Sequence, residues 1–372
     1  MQVAIAGLGL MGGSLGLALR EQAGTHVTGF DLDPAEAAIA LERGCVDRIA
    51  DSLEEACVGA ELVIVATPVS AIAGVVEAVV AATDASVTIT DIGSTKGQVV
   101  ASVAEAGRER FIGGHPICGS EAHGAAHARA ELFAGATYFL TPSVESEPAR
   151  LASLHALVTA IGSRPVVIDA AAHDRIVALT SHFPHVLANV LAVQVADADV
   201  DGHSPLHSAG GSFRDMTRVA GANPAIWVDI LLDNRDAVLA AVEDAQARLG
   251  VVAEALRTSD NAFLEEWIST AGEARRAALA QAHRAAPEDL HELMVSVPDR
   301  PGSISSIVQT LSAGGINMEE FALSHISPER GGELRIVIAG EAAAEQAVAL
   351  LTATGCIATR DAISGGTQVG AE

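Results

Sequence analysis

Four short clusters in this 372-residue sequence hold side chains able to do chemistry. The first centres on His115, in Gly113-Gly114-His115-Pro116-Ile117-Cys118-Gly119-Ser120-Glu121. The run 110–113 reads as a strand, so the imidazole stands at a strand's carboxyl end, between glycines and a proline. Core packing explains such a histidine poorly. Imidazole titrates near neutral pH, so His115 is placed to act as a general base; a loop histidine capping a helix is the plainer alternative. The second cluster, Asp91-Ile92-Gly93-Ser94-Thr95-Lys96-Gly97, follows another strand and by itself reads as a turn capped by Asp or Ser. The third is His173-Asp174, then Ser181-His182-Phe183-Pro184-His185 on a helix. Ser181 and His185 lie four apart and His182 and His185 three apart, so they share a face. Histidine and aspartate are metal ligands, but this spacing matches no short zinc pattern, and no metal is expected. The fourth is Gly210-Gly211-Ser212-Phe213-Arg214-Asp215-Met216-Thr217-Arg218. An arginine fork binds both oxygens of a carboxylate, so one of the two arginines suits an anionic substrate, while the other pairs with Asp215 at the surface.

The N-terminus supplies a place for a dinucleotide. Val3-Ala4-Ile5-Ala6 reads as a buried parallel strand, followed by Gly7-Leu8-Gly9-Leu10-Met11-Gly12, a G-x-G-x-x-G, and then a helical pattern. Gly7 makes the tight turn, Gly9 lets the backbone approach a pyrophosphate, and Gly12 lets helix and strand pack closely. The free N–H groups of the helix start face the phosphates. A second strand ends at Asp31, 19 positions past Gly12, where a carboxylate bonds both ribose hydroxyls. That carboxylate repels a 2′-phosphate, and no arginine follows in Leu32-Asp33-Pro34, so NAD is expected over NADP. Thr67-Pro68 falls at the end of the next strand, on the same edge of the sheet.

Strands and helices alternate to about residue 170, with further strands expected at 62–66, 87–90, 110–113, 137–140 and 165–168. This is the pattern of a Rossmann-type, doubly wound, largely parallel sheet, with ligands at the carboxyl ends of its strands. Residues 171–285 read as all helix: 171–200 kinked by Pro184, 223–258 with Asn223 as cap and Pro224 at the first position, and 261–284. The helix at 223–258 is apolar on two sides (Ile226, Ile230, Leu231, Val238, Leu239, Val242), so it needs two neighbours. This middle part is expected to hold substrate and to form a homodimer. After Ala285-Ala286-Pro287, residues 289–363 read strand, helix, strand, strand, helix, strand, a ferredoxin-like βαββαβ unit. The class is α/β with three parts: 1–170, 171–285 and 289–363.

Composition narrows the partners. Hydrophobic residues make up 49%, and 22 basic residues stand against 47 acidic, a net charge of −25. Nucleic acid and anionic membranes are disfavoured, and an anionic substrate must be held by a few placed cations. The four cysteines (Cys45, Cys57, Cys118, Cys356) form no C-x-x-C pair, and no signal segment is expected before the first strand. No apolar run reaches the roughly 18 residues of a membrane span. A reduced, cytoplasmic setting is expected.

Taken together, G-x-G-x-x-G, D-x-G-S-x-K, G-x-H-P-x-x-G, H-D followed by S-H-x-P-H, and G-x-F-R-D-x-T-R occur in an order that resembles the prephenate dehydrogenases and their arogenate-using relatives, over about residues 1–285. The resemblance implies NAD-dependent oxidative decarboxylation of prephenate in tyrosine biosynthesis. His115 would take the proton of the ring C4 hydroxyl, and Ser94 would orient that hydroxyl and the nicotinamide. Arg218 would bind the ring carboxylate and His185 would meet the pyruvyl chain. Ser181, His182 and Trp227 would support the pocket, and Glu121 and Asp215 would gate it. Cys118 and Phe183 stand where methionine and leucine are common in relatives. Arogenate carries an ammonium where prephenate has a ketone, and His185 offers it no opposite charge, which favours prephenate. A hydroxyacid or imine-reducing dehydrogenase fits the His115 and Arg218 clusters less well, and a non-catalytic sensor leaves Ser94, His115 and Arg218 unexplained. The tail resembles an ACT domain, an amino-acid sensor. Asp299, Arg300, Pro301, Gly302 and Asn317 would then bind an effector such as tyrosine.

The Asp31 reading has a direct test. Asp31→Ser should weaken NAD binding and narrow its advantage over NADP, measured by titrating each cofactor; a wild-type chain that prefers NADP overturns the assignment.

Overall fold

The computed structural model describes residues 1–103, 105–119, 122–283, 289–327 and 331–362. Eight strands make one sheet: β1 (Gln2–Ala6), β2 (His26–Phe30), β3 (Arg48–Ile49), β4 (Leu62–Val65), β5 (Thr88–Asp91), β6 (Phe111–Pro116), β7 (Thr137–Pro142) and β8 (Arg164–Val167). Their order is β3-β2-β1-β4-β5-β6-β7-β8, so the chain reverses its direction of travel across the sheet at β1 and β4. Strands β1 to β6 are parallel; β7 pairs antiparallel with β6 and parallel with β8. Successive residues face opposite layers: Ile5 and Ile64 pack with Leu8, Leu15 and Leu19, while Ala4, Val63 and Val65 pack with Ile72, Val76 and Val79. Burial on both faces is why these strands read as continuous apolar runs. The expected strands are all present, and the two-residue β3 joins them. One difference bears on the site. β6 runs to Pro116 instead of stopping at 113, and His115 pairs with Phe139 inside the sheet.

Two expected helices are broken. The stretch expected at 171–200 is Ala170–Val177, a wide π turn at Ala178–His182, and Phe183–Ala196. Pro184 has no N–H for the carbonyl four residues back, and the chain meets this by widening the turn before the proline. The helix expected at 223–258 is Pro224–Asp233 and Arg235–Thr258, interrupted at Asn234 (φ −103°, ψ 26°). The Asn234 side chain is buried and donates to the Asp174 carbonyl at 2.9 Å, with His182 Nδ1 at 3.1 Å, which holds the break in place. Asn223 caps the first piece by accepting from Ala225 N at 3.0 Å, as expected. Asn261–His283 is one helix. By length and composition alone Ala170–Ala196 is apolar enough to cross a membrane. It nonetheless carries four buried polar side chains, His173, Asp174, His182 and His185.

Contacts divide the chain into two compact units, Met1–Ser208 with Met216–Ala245, and Ala209–Asp215 with Gln246–Glu372. The second contains a four-stranded sheet of β9 (Leu290–Val297), β10 (Glu320–Ser327), β11 (Gly331–Ala339) and β12 (Ala358–Ala362). The order is β10-β11-β9-β12, with every pair antiparallel. Leu293, Val295, Leu334 and Ile336 on its strands pack with Ile307 and Leu311 of the helix Ser303–Ala313 and Leu351 of Glu341–Ala353. This is the expected βαββαβ unit.

Candidate active site

The glycine turn lies where the sheet order reverses, the place open α/β sheets bind ligands. Gly7 has φ +96°, and a β-carbon there would stand 2.6 Å from the Ala66 carbonyl oxygen, so only glycine fits. At Gly12 a β-carbon would run into the Gly7 carbonyl. Gly9, the N-cap of the helix Leu10–Arg20, has nothing within 4 Å of that position, so the backbone is open to a close-lying group. The first-turn amides of Leu10, Met11 and Gly12 point out of the helix start. Asp31 holds the turn in register: its Oδ2 accepts from Leu8 N at 2.6 Å and its Oδ1 from Asp33 N at 2.8 Å. Each oxygen keeps a lone pair for a ribose hydroxyl. Thr67 Oγ1, at the end of β4 and just before Pro68, is buried and has no partner among the described residues. An open glycine, unspent amides, a carboxylate and an orphaned hydroxyl together fit a dinucleotide.

The next turn along the sheet is set by charge. Lys96 is fully buried and forms an ion pair with the buried Asp91. Asp91 also accepts from Gly93 N at 2.8 Å and from Gly114 N at 3.1 Å. The glycine pair before His115 follows from this packing. A β-carbon on Gly113 would collide with Thr141 Oγ1 and crowd Lys96, and one on Gly114 would meet the Asp91 carbonyl. Burial lowers the Lys96 ammonium's pKa, against the pull of Asp91.

Ser94, His115, Ser181, His182 and Trp227 line one cavity of about 490 Å³, with Cys118. His115 Nδ1 lies 2.8 Å from His173 Nε2, and His173 Nδ1 lies 2.8 Å from Asp174 Oδ1. Asp174 in turn accepts from Lys96 N at 2.8 Å and Gly97 N at 2.7 Å. Burial, then the fields of His173, Lys96 and His182, hold His115 well below the ordinary histidine value of 6.5. Burial outweighs the pull of Asp174 and brings His182 down to about 4. His182 Nδ1 accepts from Asn234, so its Nε2 carries the proton. His185 is buried, is lowered by burial, and does not line the cavity; its ring lies flat on Trp227, centroids 3.5 Å apart at 6°. Burial pushes the Cys118 thiol up to about 11, so it stays protonated. The arrangement provides a neutral imidazole, small hydroxyls and an aromatic wall at the same sheet edge as the glycine turn. That suits proton removal from a bound alcohol.

Other expected residues stand elsewhere. Arg218 is exposed on the 3₁₀ turn Arg218–Gly221 and is not among the residues lining the cavity. Asp215 is exposed on the helix Gly211–Thr217. Glu121 lies outside the described residues. In the second unit Asp299, Arg300 and Pro301 are exposed before Gly302, which has φ +90° and caps Ser303–Ala313. Asn317 is exposed ahead of β10, and its side-chain amide donates to Glu319 at 2.7 Å. The sequence alone places His173, Asp174 and Lys96 in chemically capable clusters without giving them a role in the reaction, and does not single out Asn234. Their signal was a polar residue inside an apolar helical or strand-end pattern, which marks burial with partners but not which partners.

Comparison with known proteins agrees with this geometry. Residues 15–167 match the family model of the prephenate dehydrogenase nucleotide-binding domain, and residues 169–270 that of the prephenate dehydrogenase dimerization domain. The prephenate dehydrogenase of Bacillus subtilis is 32% identical over 338 residues, 90% of this chain and 91% of the relative. The cyclohexadienyl dehydrogenase of Zymomonas mobilis is 33% identical over 281 residues, 74% of this chain and 95% of the relative. The crystal structure of prephenate dehydrogenase from A. aeolicus, in complex with hydroxyphenyl propionate and NAD+, has a TM-score of 0.71 at 27% identity and covers 75% of this chain and 98% of its own. That of Synechocystis arogenate dehydrogenase has 0.67 at 28%, covering 75% and 100%.

The lowered histidines imply a pH dependence of stability. Unfolded histidine takes up a proton near 6.5, whereas folded His115 and His182 resist it, His182 down to about 4. The unfolded chain therefore binds more protons below about pH 6.5, and stability falls as pH falls through that window. The drop in melting temperature from pH 7.5 to 5.5 should be smaller in His115→Gln than in the wild type; equal drops would contradict the assignment.

Proposed function

The chain belongs to the prephenate dehydrogenase family, and from that membership we propose its reaction: NAD-dependent oxidative decarboxylation of prephenate to 4-hydroxyphenylpyruvate. The observation that carries the reading is His115, a half-buried imidazole held neutral in a cavity at the strand ends that also carry the glycine turn. His115 takes the proton of the C4 hydroxyl. Ser94, half-buried on the cavity wall, orients that hydroxyl. Arg218 binds the ring carboxylate with its fork, and Glu121 and Asp215 control access to it. Trp227, Ser181 and His182 form the wall against the pyruvyl side chain, and His185 supports that wall by stacking on the Trp227 ring. NAD, when bound, accepts the C4 hydride, and the turn 7–12, Asp31 and Thr67-Pro68 hold it. The ring carboxylate leaves as carbon dioxide, and aromatisation drives that loss. Prephenate is favoured over arogenate because His185, held neutral by burial, offers no charge to an ammonium.

The helices of 171–285 form a homodimer interface. Leu179, Val190, Val193, Leu232 and Leu239 stand exposed on them, an apolar surface that a second copy would cover. The setting is the cytoplasm. The 289–363 module is an ACT-type sensor for tyrosine, with Asp299, Arg300, Pro301, Gly302 and Asn317 at the effector site. What supports this is a βαββαβ sheet with an exposed loop ending in the positive-φ Gly302 at a helix start.

Three measurements test these readings. Formation of reduced cofactor, followed by its near-ultraviolet absorbance, should be fastest with prephenate and NAD among the pairs of prephenate or arogenate with NAD or NADP. His115→Asn should lower kcat by about 10²–10⁴ with little change in KM. Near-normal turnover in that variant removes His115 as the base. In the full chain, Asp299→Ala and Asn317→Ala should raise the tyrosine concentration for half-inhibition by about 5- to 150-fold. Inhibition curves identical to wild type would leave the module a structural one.

A further inference from the structure

His115 is not the end of its hydrogen-bonded chain. We propose that His173 and Asp174 are positioning residues that lock the His115 ring with its proton on Nδ1, making Nε2 the atom that takes the substrate's proton. This rests on the dehydrogenase reading above and assigns roles that it leaves open.

The direction of each bond follows from the far end. Asp174 accepts two backbone donors, Lys96 N at 2.8 Å and Gly97 N at 2.7 Å. Burial pushes its carboxyl up, but the bonds from His173, Lys96 N and Gly97 N prevail and hold it below its ordinary value. An ionised carboxylate only accepts, so the 2.8 Å contact to His173 Nδ1 requires a proton on that nitrogen. A neutral imidazole protonated on Nδ1 has a lone pair on Nε2. The 2.8 Å contact between His173 Nε2 and His115 Nδ1 then requires the proton on His115 Nδ1. Nε2 of His115 is left as an acceptor. The competing arrangement puts a second proton on His173. That ring is fully buried, and its added charge would join the buried Lys96 ammonium, whose field already reaches His115. Phe139 stands edge-on to His173, centroids 5.2 Å apart at 85°, and holds the ring in plane for both bonds.

The proton count closes. The C4 O–H bond breaks and an Nε2–H bond forms on His115 as the C4 hydride goes to NAD. The resulting imidazolium keeps its Nδ1–H bond to His173, whose other nitrogen is backed by the Asp174 carboxylate. When the C1–carboxylate bond breaks and carbon dioxide leaves, its electron pair makes the ring aromatic, and the phenolate oxygen recovers the proton from Nε2. The relay stabilises the charge on His115 without itself being consumed, as the buried aspartate does for histidine in serine hydrolases. Lys96, His173 and His182 are the titratable groups whose fields reach His115.

The test uses the full chain. His173→Phe removes the acceptor and keeps the ring's bulk. It should lower kcat by about 10²-fold, within the worth of general base catalysis, with both KM values nearly unchanged. Its acid limb in the kcat/KM profile should also move. His173→Gln returns a carbonyl acceptor near the Nε2 position and should recover part of the loss. Asp174→Asn, which can turn the tautomers around, should resemble His173→Phe in kcat. Nitrogen-15 spectra of histidine-labelled protein without substrate should show His115 protonated on Nδ1 in the wild type and lose that signature in Asp174→Asn. Wild-type kcat and pH profile in His173→Phe, or a His115 ring protonated on Nε2 in the wild type, overturns the proposal. So does a common loss of melting temperature with His173→Phe and His173→Gln alike in kcat. A wild-type chain that binds NAD but fails to oxidise prephenate would instead sink the function reading, and the nitrogen-15 result would still decide the tautomer.

Discussion

The carboxylate of Asp174 joins the two halves of the active site. It lies on the helix Ala170–Val177, 77 positions from Gly97 in the chain, and accepts two amides at the start of the helix Gly97–Ser102. Its own peptide carbonyl takes the Asn234 amide, which also reaches His182. One residue thus ties the sheet edge to the helices that wall the cavity. A second buried pair, Asp91 with Lys96, shapes the same turn from inside. Such groups are costly to bury and tolerated only when each donor and acceptor is matched, so the loss of one partner strands the rest. The geometry around His115 is therefore set by partners drawn from separate parts of the chain.

Charge sets a second constraint. A chain with a net −25 repels anions at long range, yet the cofactor and prephenate are both anionic. Recognition therefore falls on local, oriented groups. The start of the helix Leu10–Arg20 offers uncommitted amides to phosphates, and Gly9 leaves the approach clear. In the cavity the histidines are held neutral by burial, so they add no charge that would bind substrate and products alike. On the proposed reading the carboxylate contact is made by Arg218, whose charge does not depend on pH.

The two interrupted helices belong to the same design. The wide turn at Ala178–His182 brings Ser181 and His182 to the cavity wall, and the break at Asn234 lets a buried amide bridge His182 and Asp174. Straight helices at 171–200 and 223–258 would have carried these side chains past each other. Irregular backbone of this kind is commonly found where a site needs side chains at unusual spacings.

By itself the sequence determined whatever depends on local backbone chemistry. Gly7-x-Gly9 and the acidic Asp31 mark a nucleotide turn because only glycine survives at φ +96° against the Ala66 carbonyl. Apolar runs marked doubly buried strands, and the order of periodic segments marked the βαββαβ tail. His115 was legible as a candidate base because glycine and proline flank it at a strand end. Only the tertiary structure decided what lies behind it. His115 and His173 are 58 positions apart, and nothing in periodicity or spacing says that a helix will carry one imidazole to the other at 2.8 Å. Pro184 marks a kink in the sequence but not the widened turn before it, and 223–258 looks like one helix because Asn234 is unremarkable until its buried partners are present. Hydrogen bonds between distant residues are fixed by packing, and packing is a property of the whole chain.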